Sequence, residues 1–256
     1  MSGHDNSPFF IVGSVRSGTT LLRNLLRSHA RLACPEETHF FRWGEPFASE
    51  RFNAPYFAAD SVLRIHRNMD GVAEHDFARL FDQAQDRGDL QRRYASAFLA
   101  AQGSPDRRWF DKTPQNVYGI LLISALFPAA RFVHLHRDPL NVTASLLRGE
   151  QLPAQPLNAA INHWLEARWI VGEYQRGFAD RVFEIDYRNL CADAGPVLGG
   201  LLRWLNEDPG GISVNLSTVQ PERDAWRREL TAEQIETVQE RCSAYMSDYS
   251  IPGITA

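Results

Sequence analysis

The sequence predicts a three-layer α/β/α fold, in which helices cover both faces of a central parallel sheet. Short apolar runs typical of buried parallel strands alternate with longer amphipathic segments typical of helices. A glycine-rich loop follows the first apolar run and precedes a helical repeat of leucines. Together these observations indicate an α/β fold of the P-loop nucleotide-binding type.

The predicted elements follow from these patterns in chain order. The first strand is Phe9–Val12, an apolar run that ends at Gly13. A helix over Thr19–Arg27 comes next, because its leucines share one helical stripe. Further strands are predicted at Arg31–Cys34, Arg131–Leu135 and Arg181–Ile185. Further helices are predicted at Val117–Phe127, Pro139–Arg148, Leu157–Arg176, Pro196–Leu205 and Thr231–Ser243.

The domain organisation is predicted to be simple. A length of 256 residues fits one large domain, and we expect 1–256 to form a single unit. Residues 44–104 are rich in Arg, Asp, Ala and Phe and show no clear strand. This region is therefore predicted to be a helical insertion.

Composition excludes several classes of protein. A formal net charge of -4 argues against a sequence-independent nucleic-acid binder, which needs excess cations. The cysteines Cys34, Cys191 and Cys242 are odd in number and widely spaced, which indicates neither a disulfide framework nor a zinc site. Met1–Pro8 lacks the pattern of a secretory signal, and no stretch is long enough to span a bilayer. We therefore expect a cytoplasmic protein without a membrane span.

The glycine loop, Gly13–Thr20, has the spacing of a phosphate loop but holds Thr19 where nucleotide triphosphatases need lysine. Its glycines let the backbone approach a phosphate, and the N–H groups of the following helix favour an anion. The only lysine of the chain is Lys112, far downstream. A plain strand-to-helix turn is the alternative interpretation. The pattern favours a phosphate-like donor other than ATP with magnesium.

The residues Val15-Arg16-Ser17-Gly18-Thr19-Thr20 resemble the loop of sulfotransferases that use 3'-phosphoadenosine-5'-phosphosulfate (PAPS). In that family the loop binds the 5'-phosphosulfate of the donor. Arg137 and Ser145 have the spacing of the family's arginine and serine, which clamp the 3'-phosphate. The resemblance thus implies donor-binding roles for Arg16, Ser17, Gly18, Thr19, Thr20, Arg137 and Ser145.

Two further segments resemble the family's catalytic motifs. Cys34–Thr38 is similar to the Gly-Glu-Glu-Thr segment of tyrosylprotein sulfotransferases, which implies Glu37 as general base. His39 is the alternative base, and a solvated acidic turn is the alternative interpretation of the segment. Lys112 resembles the lysine that contacts the bridging oxygen of the donor, and with Arg16 it would stabilise developing charge.

Weaker resemblances extend to the C-terminal part. Tyr187 and Arg227 lie in segments similar to donor-binding ones, although Tyr187 could only pack and Arg227 could be a surface charge. The resemblance implies PAPS as cosubstrate, no metal, and an unidentified hydroxyl or amine acceptor. It does not cover residues 44–104, where we expect acceptor recognition because insertions over a rigid scaffold carry specificity. The insertion's arginines, among them Arg64 and Arg92, could attract an anionic acceptor, although a solvated helical face is the simpler interpretation. The oligomeric state stays open, with a homodimer as one alternative.

Two other functions remain as alternatives. An ATP-dependent small-molecule kinase would need a lysine at Thr19 and a carboxylate for magnesium. A nucleotide-binding module that has lost turnover would keep the glycine loop without catalytic groups. The joint presence of Glu37 and Lys112 argues against that module.

Overall fold

A parallel five-stranded sheet forms the centre of the computed structural model, which describes residues 6–149 and 153–246. The strands are β1 Phe9–Val12, β2 Leu32–Ala33, β3 Arg108–Lys112, β4 Arg131–His136 and β5 Val182–Asp186. Their order in the sheet is β2-β3-β1-β4-β5. The first strand therefore lies in the middle, between β3 and β4.

Helices connect and cover these strands. The first group is α1 Thr19–Arg27, α2 Glu50–Phe57, α3 Val62–Met69, α4 Glu74–Gln83, α5 Arg87–Ala101 and α6 Ile120–Leu126. The second group is α7 Pro139–Arg148, α8 Leu157–Gly177, α9 Tyr187–Ala192, α10 Ala194–Trp204, α11 Trp226–Glu229 and α12 Ala232–Met246. A 3-10 helix at Pro114–Gly119 joins β3 to α6.

The sheet is buried on both faces, as the continuous apolar run of β1 predicts. Phe9 and Ile11 point into one hydrophobic cluster, and Phe10 and Val12 point into the other. This alternation follows from the two-residue period of a strand. Each cluster is completed by helices, which confirms the predicted three-layer α/β/α fold with its parallel sheet.

The prediction missed β3. This strand contains Arg108, Asp111 and Lys112, so the sequence shows no apolar run there. All three charged side chains are buried. Arg108 donates hydrogen bonds to the Leu205 carbonyl oxygen at 2.7 Å and to Glu207 at 3.1 Å. Tertiary partners thus make a charged strand possible, since buried charges need them.

The region 44–104 is helical, as predicted, and holds α2 to α5. Ser49 and Asp86 cap α2 and α5 by accepting hydrogen bonds from backbone N–H groups. A cluster of aromatic rings fixes these helices against the sheet. Its members include Phe40, Phe52, Tyr56, Phe77, Phe81 and Tyr94. That 1–256 behaves as a single domain remains a prediction.

Candidate active site

Every strand of the sheet leads into one of the predicted site segments. The glycine loop follows β1, Glu37 follows β2, and Lys112 ends β3. Arg137 follows β4, and Tyr187 follows β5. Because all the strands are parallel, their carboxyl ends meet at one edge, which is where open α/β sheets bind ligands.

A cleft of about 570 Å³ lies at this edge. Its lining residues are Val15, Arg16, Gly18, Thr19, Thr20, Leu21, Glu37, His39, Arg42, Val62, His66, Pro114, Gln115, Arg137 and Tyr187. The strand ends thus bring most of the predicted site residues to one cavity. We call the part formed by the glycine loop, Arg137 and Tyr187 the donor half, and the rest the acceptor half.

The glycine loop leaves polar groups open at the start of α1. Gly18 is the residue before the helix and has a φ of 91°. It makes no side-chain hydrogen bond to the N–H groups at the helix start. Arg16 also has a left-handed φ of 68°, which is uncommon for a residue with a side chain. The hydroxyl of Ser17 is buried and has no hydrogen-bond partner in the described chain. Open N–H groups and a free hydroxyl at a helix start suit an anion.

Gly18 and Tyr187 are in close contact. A side chain at Gly18 would overlap the ring of Tyr187. The guanidinium carbon of Arg137 lies 4.8 Å from the centre of the same ring. Tyr187 therefore packs between the loop and Arg137, as the alternative interpretation expects, and its contact with a donor remains a prediction.

Arg16, Arg137 and Ser145 meet in one corner of the donor half. Arg16 Nε donates a hydrogen bond to Ser145 Oγ at 2.8 Å. Arg137 Nη1 donates to the Arg16 carbonyl oxygen at 3.1 Å. The structure thus brings together the three residues that the sequence assigned to the two phosphates of a donor.

Glu222 is a site residue that the sequence analysis missed. Its Oε1 accepts hydrogen bonds from Arg137 Nε at 2.7 Å and from Asn141 Nδ2 at 3.0 Å. The Glu222 side chain is only 2 % exposed. It lies in a segment without regular structure, far from Arg137 in sequence, so no local pattern could reveal it. The carboxylate of Glu222 therefore accepts a hydrogen bond from Arg137, the arginine predicted to bind the 3'-phosphate.

Glu37, Lys112 and the glycine loop are joined by direct contacts. Lys112 Nζ donates a hydrogen bond to Glu37 Oε1 and lies 3.4 Å from Thr20 Oγ1. Strand β3 is the neighbour of β1, and Ile11 pairs with Lys112. The only lysine of the chain therefore reaches the glycine loop from the adjacent strand.

The two candidate bases have different protonation states. His39 Nε2 lies 3.3 Å from Glu37 Oε2. Burial favours a higher pKa for Glu37, but the hydrogen bond with His39 and the charge of Lys112 outweigh it and lower the pKa to about 2. Burial lowers the pKa of His39 below its ordinary value. At neutral pH Glu37 is thus an anion, and His39 is neutral.

The adjacent carboxylates Glu36 and Glu37 have different partners, because one contacts α1 and the other lines the cleft. Glu36 Oε1 accepts a hydrogen bond from Arg27 Nη1 at 2.9 Å, and its other oxygen is bonded to Arg23. Both arginines belong to α1. Glu36 therefore ties its loop to α1, whereas Glu37 faces the cleft.

Helices of the 44–104 region hold the loop that carries Glu37. Tyr56 of α2 donates a hydrogen bond to the His39 carbonyl oxygen at 2.9 Å. His66 Nδ1 of α3 lies 3.1 Å from the Glu37 carbonyl oxygen. The region therefore positions the candidate base as well as lining the acceptor half.

A buried polar network under Glu37 was also missed by the sequence analysis. Thr38 Oγ1 lies 2.8 Å from Asp111 Oδ2 and 3.1 Å from Gln91 Oε1. Asn116 Nδ2 donates to Asp111 Oδ1 at 2.9 Å. Burial raises the pKa of Asp111 to about 6. The network connects β3, α5 and the Glu37 loop, and only the fold shows that these segments are adjacent.

Arg227 lies apart from this arrangement. Its guanidinium carbon stacks over the Trp226 ring at 4.4 Å, and its Nε lies 3.5 Å from Asp224. Arg227 is not among the lining residues of the cleft.

Within residues 6–149 and 153–246, no group of three or more His, Cys, Asp or Glu side chains is arranged around a metal position. No helix in that part of the chain is long and apolar enough to cross a membrane.

Comparison with known proteins agrees with this architecture. A family model described as "Sulfotransferase family" matches residues 8–208. An uncharacterised protein of Aquifex aeolicus is 26% identical over an alignment of 214 residues, and the alignment covers 79% of this chain and 26% of that protein. Protein-tyrosine sulfotransferase 2 of Gallus gallus is 29% identical over 129 residues, which are 50% of this chain and 30% of that protein. The matched part of the chain thus spans under a third of the length of these relatives.

Solved structures show the same fold at low sequence identity. The sulfotransferase domain of the Synechococcus PCC 7002 olefin synthase has a TM-score of 0.67 and 22% identity, with 97% of both chains covered. Mouse sulfotransferase SULT7A1, complexed with PAP, has a TM-score of 0.51 and 11% identity, with 95% of this chain and 85% of the mouse chain covered. Because the family model matches most of the chain, this protein belongs to the sulfotransferase family.

Proposed function

We propose that this protein transfers a sulfuryl group from PAPS to a hydroxyl or amine of an acceptor. The observation that carries the proposal is the contact of Lys112 with both Glu37 and Thr20 of the glycine loop. In this contact an ammonium joins a carboxylate and a glycine loop that both line the cleft. These are the groups that sulfuryl transfer needs for deprotonation, charge stabilisation and donor binding.

The donor half supports this choice of donor. The open N–H groups of α1, with Ser17, Thr19 and Thr20, would hold the 5'-phosphosulfate. Arg137 and Ser145 would hold the 3'-phosphate. The mouse sulfotransferase with PAP shows that a protein of this fold accommodates the bisphosphate product of PAPS.

Lys112 would exchange partners during the reaction. In this structure its ammonium is paired with Glu37. In the donor complex the ammonium would turn to the bridging oxygen, which carries growing negative charge as its bond to sulfur breaks. Loss of this partner would raise the pKa of Glu37 towards the range of a working base.

Glu37 would then accept the proton of the acceptor. The acceptor oxygen or nitrogen forms its bond to sulfur while the bond from sulfur to the bridging oxygen breaks in line. Arg16 and Lys112 stabilise the charge, and adenosine 3',5'-bisphosphate leaves. Because these side chains supply the cationic charge, the reaction is proposed to need no metal.

Transfer of labelled sulfur tests this function. The protein is incubated with sulfur-labelled PAPS and a broad panel of alcohols, phenols and amines, in parallel with γ-labelled ATP and magnesium. We expect labelled sulfated product and release of the bisphosphate. Labelled phosphoryl product from ATP would contradict the proposal in favour of a kinase. Tight bisphosphate binding with no sulfated product from any acceptor would instead identify an inactive module.

A further inference from the structure

The acceptor half contains a guanidinium that has no hydrogen-bonded partner among the described residues. Arg42 lines the cleft and is half-buried. Its guanidinium carbon lies 5.0 Å from the centre of the Trp43 ring. Across the described parts of the chain, no side chain or carbonyl group accepts a hydrogen bond from this guanidinium. The hydrogen-bonding capacity of Arg42 is therefore available to a ligand.

Arg42 differs in this respect from Arg64, Arg67, Arg92 and Arg93 of the 44–104 region. Arg67 Nη2 donates to Glu74 at 2.8 Å, and Arg64 lies 3.6 Å from the same carboxylate. Arg93 pairs with an aspartate at 2.9 Å, and Arg92 donates to a backbone carbonyl at 3.3 Å. These arginines serve the fold, so the expectation that they attract an acceptor is not supported by their contacts.

The nearby carboxylate of Glu37 is engaged by other side chains, one oxygen by Lys112 and the other by His39. The backbone N–H of Arg42 donates to the His39 carbonyl oxygen at 3.2 Å, which places the two residues at opposite ends of one turn. Arg42 thus lies one turn from His39 and lines the same cleft as Glu37. A guanidinium fork in this position suits a carboxylate or phosphate of a bound molecule.

An exposed apolar face begins in the same half of the cleft. Val62 of α3 lines the cleft and is 55% exposed. Ile65 and Met69 are 58% and 63% exposed. Their spacing of three and four residues puts them on one side of the helix with Val62. A continuous apolar face that starts at a ligand cleft is suited to an apolar part of the same ligand.

We propose that the acceptor is an amphiphilic anion. This inference rests on the proposed sulfuryl transfer and names the substrate class of that site. The acceptor's hydroxyl or amine faces Glu37, its anionic group binds Arg42, and its apolar chain lies along Val62, Ile65 and Met69. Arg42 and α3 are thus the determinants of acceptor specificity.

Matched acceptors test the anionic group. Hydroxy acids of graded chain length are compared with their methyl esters, with labelled PAPS as donor. For the wild type we expect kcat/KM to be about tenfold or more higher for the acid, since a charge-assisted bidentate contact is lost in the ester. In Arg42→Gln the kcat/KM for the acid, divided by that for the ester, should fall towards one, mainly because KM for the acid rises. Arg42→Lys keeps the charge without the fork and should show an intermediate ratio.

A second pair of variants tests the apolar face. Ile65→Ser should raise KM for the long acids more than for the short ones. Val214→Ser is the matched control, because Val214 is also an exposed apolar residue, 43% exposed, but lies outside α3. Equal effects of the two variants would contradict the role of α3.

The outcomes separate this inference from the proposed function. Calorimetric binding of adenosine 3',5'-bisphosphate shows whether each variant is folded. Sulfated product formed equally well from acid and ester, in wild type and Arg42→Gln alike, would overturn the inference and leave sulfuryl transfer intact. Absence of bisphosphate binding and of any sulfated product in the wild type would overturn both.

Discussion

Glu37 and Glu36 are neighbours in sequence, but their surroundings separate their roles. Glu36 is held by two arginines of α1, and Glu37 contacts Lys112 and His39 in the cleft. The motif resemblance distinguishes the two carboxylates by position alone. The fold adds the physical reason, which is the direction in which each side chain points.

Glu37→Gln should lower kcat by about 10²–10⁴-fold, the range of general-base contributions, and leave bisphosphate affinity nearly unchanged. Glu36→Gln is the matched control. It removes the ion pairs with α1, so it should lower the midpoint of denaturation but retain turnover. Both variants are compared by steady-state kinetics and urea unfolding. Equal turnover in wild type and Glu37→Gln would exclude Glu37 as the base.

The pH dependence distinguishes Glu37 from His39. Because the pKa of Glu37 is lowered to about 2, this carboxylate stays ionised far below neutral pH while Lys112 and His39 are its partners. With Glu37 as base, kcat/KM for PAPS, which reports groups of the protein before the donor binds, should stay level between about pH 8 and pH 5, the interval in which histidines titrate. His39→Gln should keep that level profile. An acidic limb within this interval that disappears in His39→Gln would instead assign the base to His39.

The same lowered pKa predicts how Glu37 contributes to stability. A carboxylate whose folded pKa is depressed contributes stability above its unfolded pKa of 4.5, and this contribution is lost as pH falls towards about 2. The acid denaturation curve of Glu37→Gln should therefore converge with that of the wild type only at strongly acidic pH. Convergence already near neutral pH would contradict the lowered pKa.

Among the elements, the junction of the glycine loop with α1 is tightly constrained. Gly18 has φ 91°, and a side chain there would overlap Tyr187. Gly18→Ala should thus weaken bisphosphate binding and cost about 1–3 kcal/mol of unfolding free energy. Gly172→Ala in α8 is the control, because no atom lies within 4 Å of the added methyl group. That variant should be neutral or slightly stabilising in urea unfolding. Similar losses in both variants would contradict the role of Gly18.

The segment around Glu222 is predicted to compete with the donor. Its carboxylate accepts hydrogen bonds from Arg137 and Asn141. A 3'-phosphate bound by Arg137 would therefore have to share these donors with Glu222 or displace its carboxylate. Glu222→Gln removes this negative charge, and we expect tighter binding of the bisphosphate in calorimetry. Glu229→Gln, which only breaks the pair with Arg148, should bind like the wild type. Weaker binding in Glu222→Gln would show that Glu222 supports Arg137 during donor binding.

The sequence predicts apolar elements better than charged ones. Strand β1 was predicted because its four residues are apolar and buried on both faces. Strand β3 was missed because its charged residues are buried against partners distant in sequence, such as Glu207 for Arg108 and Thr38 for Asp111. For the same reason the motifs locate Glu37 and Lys112 but not Glu222, Asp111 or Arg42. Those residues acquire their surroundings only through tertiary contacts.

For the whole molecule, the central point is the convergence of all strand ends on one cleft. The order β2-β3-β1-β4-β5 brings Lys112 beside the glycine loop and Glu37 beside Lys112. Under the proposed function, Lys112 from the neighbouring strand would take the place of the lysine that is absent at Thr19, and the phosphate loop would hold PAPS without magnesium.

Calorimetric titration tests this claim most directly. Adenosine 3',5'-bisphosphate is titrated into the protein in a chelator, and ATP is titrated in the presence of magnesium. The account predicts that the bisphosphate binds more tightly than ATP and that Arg137→Ala weakens its binding by about tenfold or more, because charge-assisted hydrogen bonds are lost. Tighter binding of ATP with magnesium, or no binding of the bisphosphate, would contradict the account.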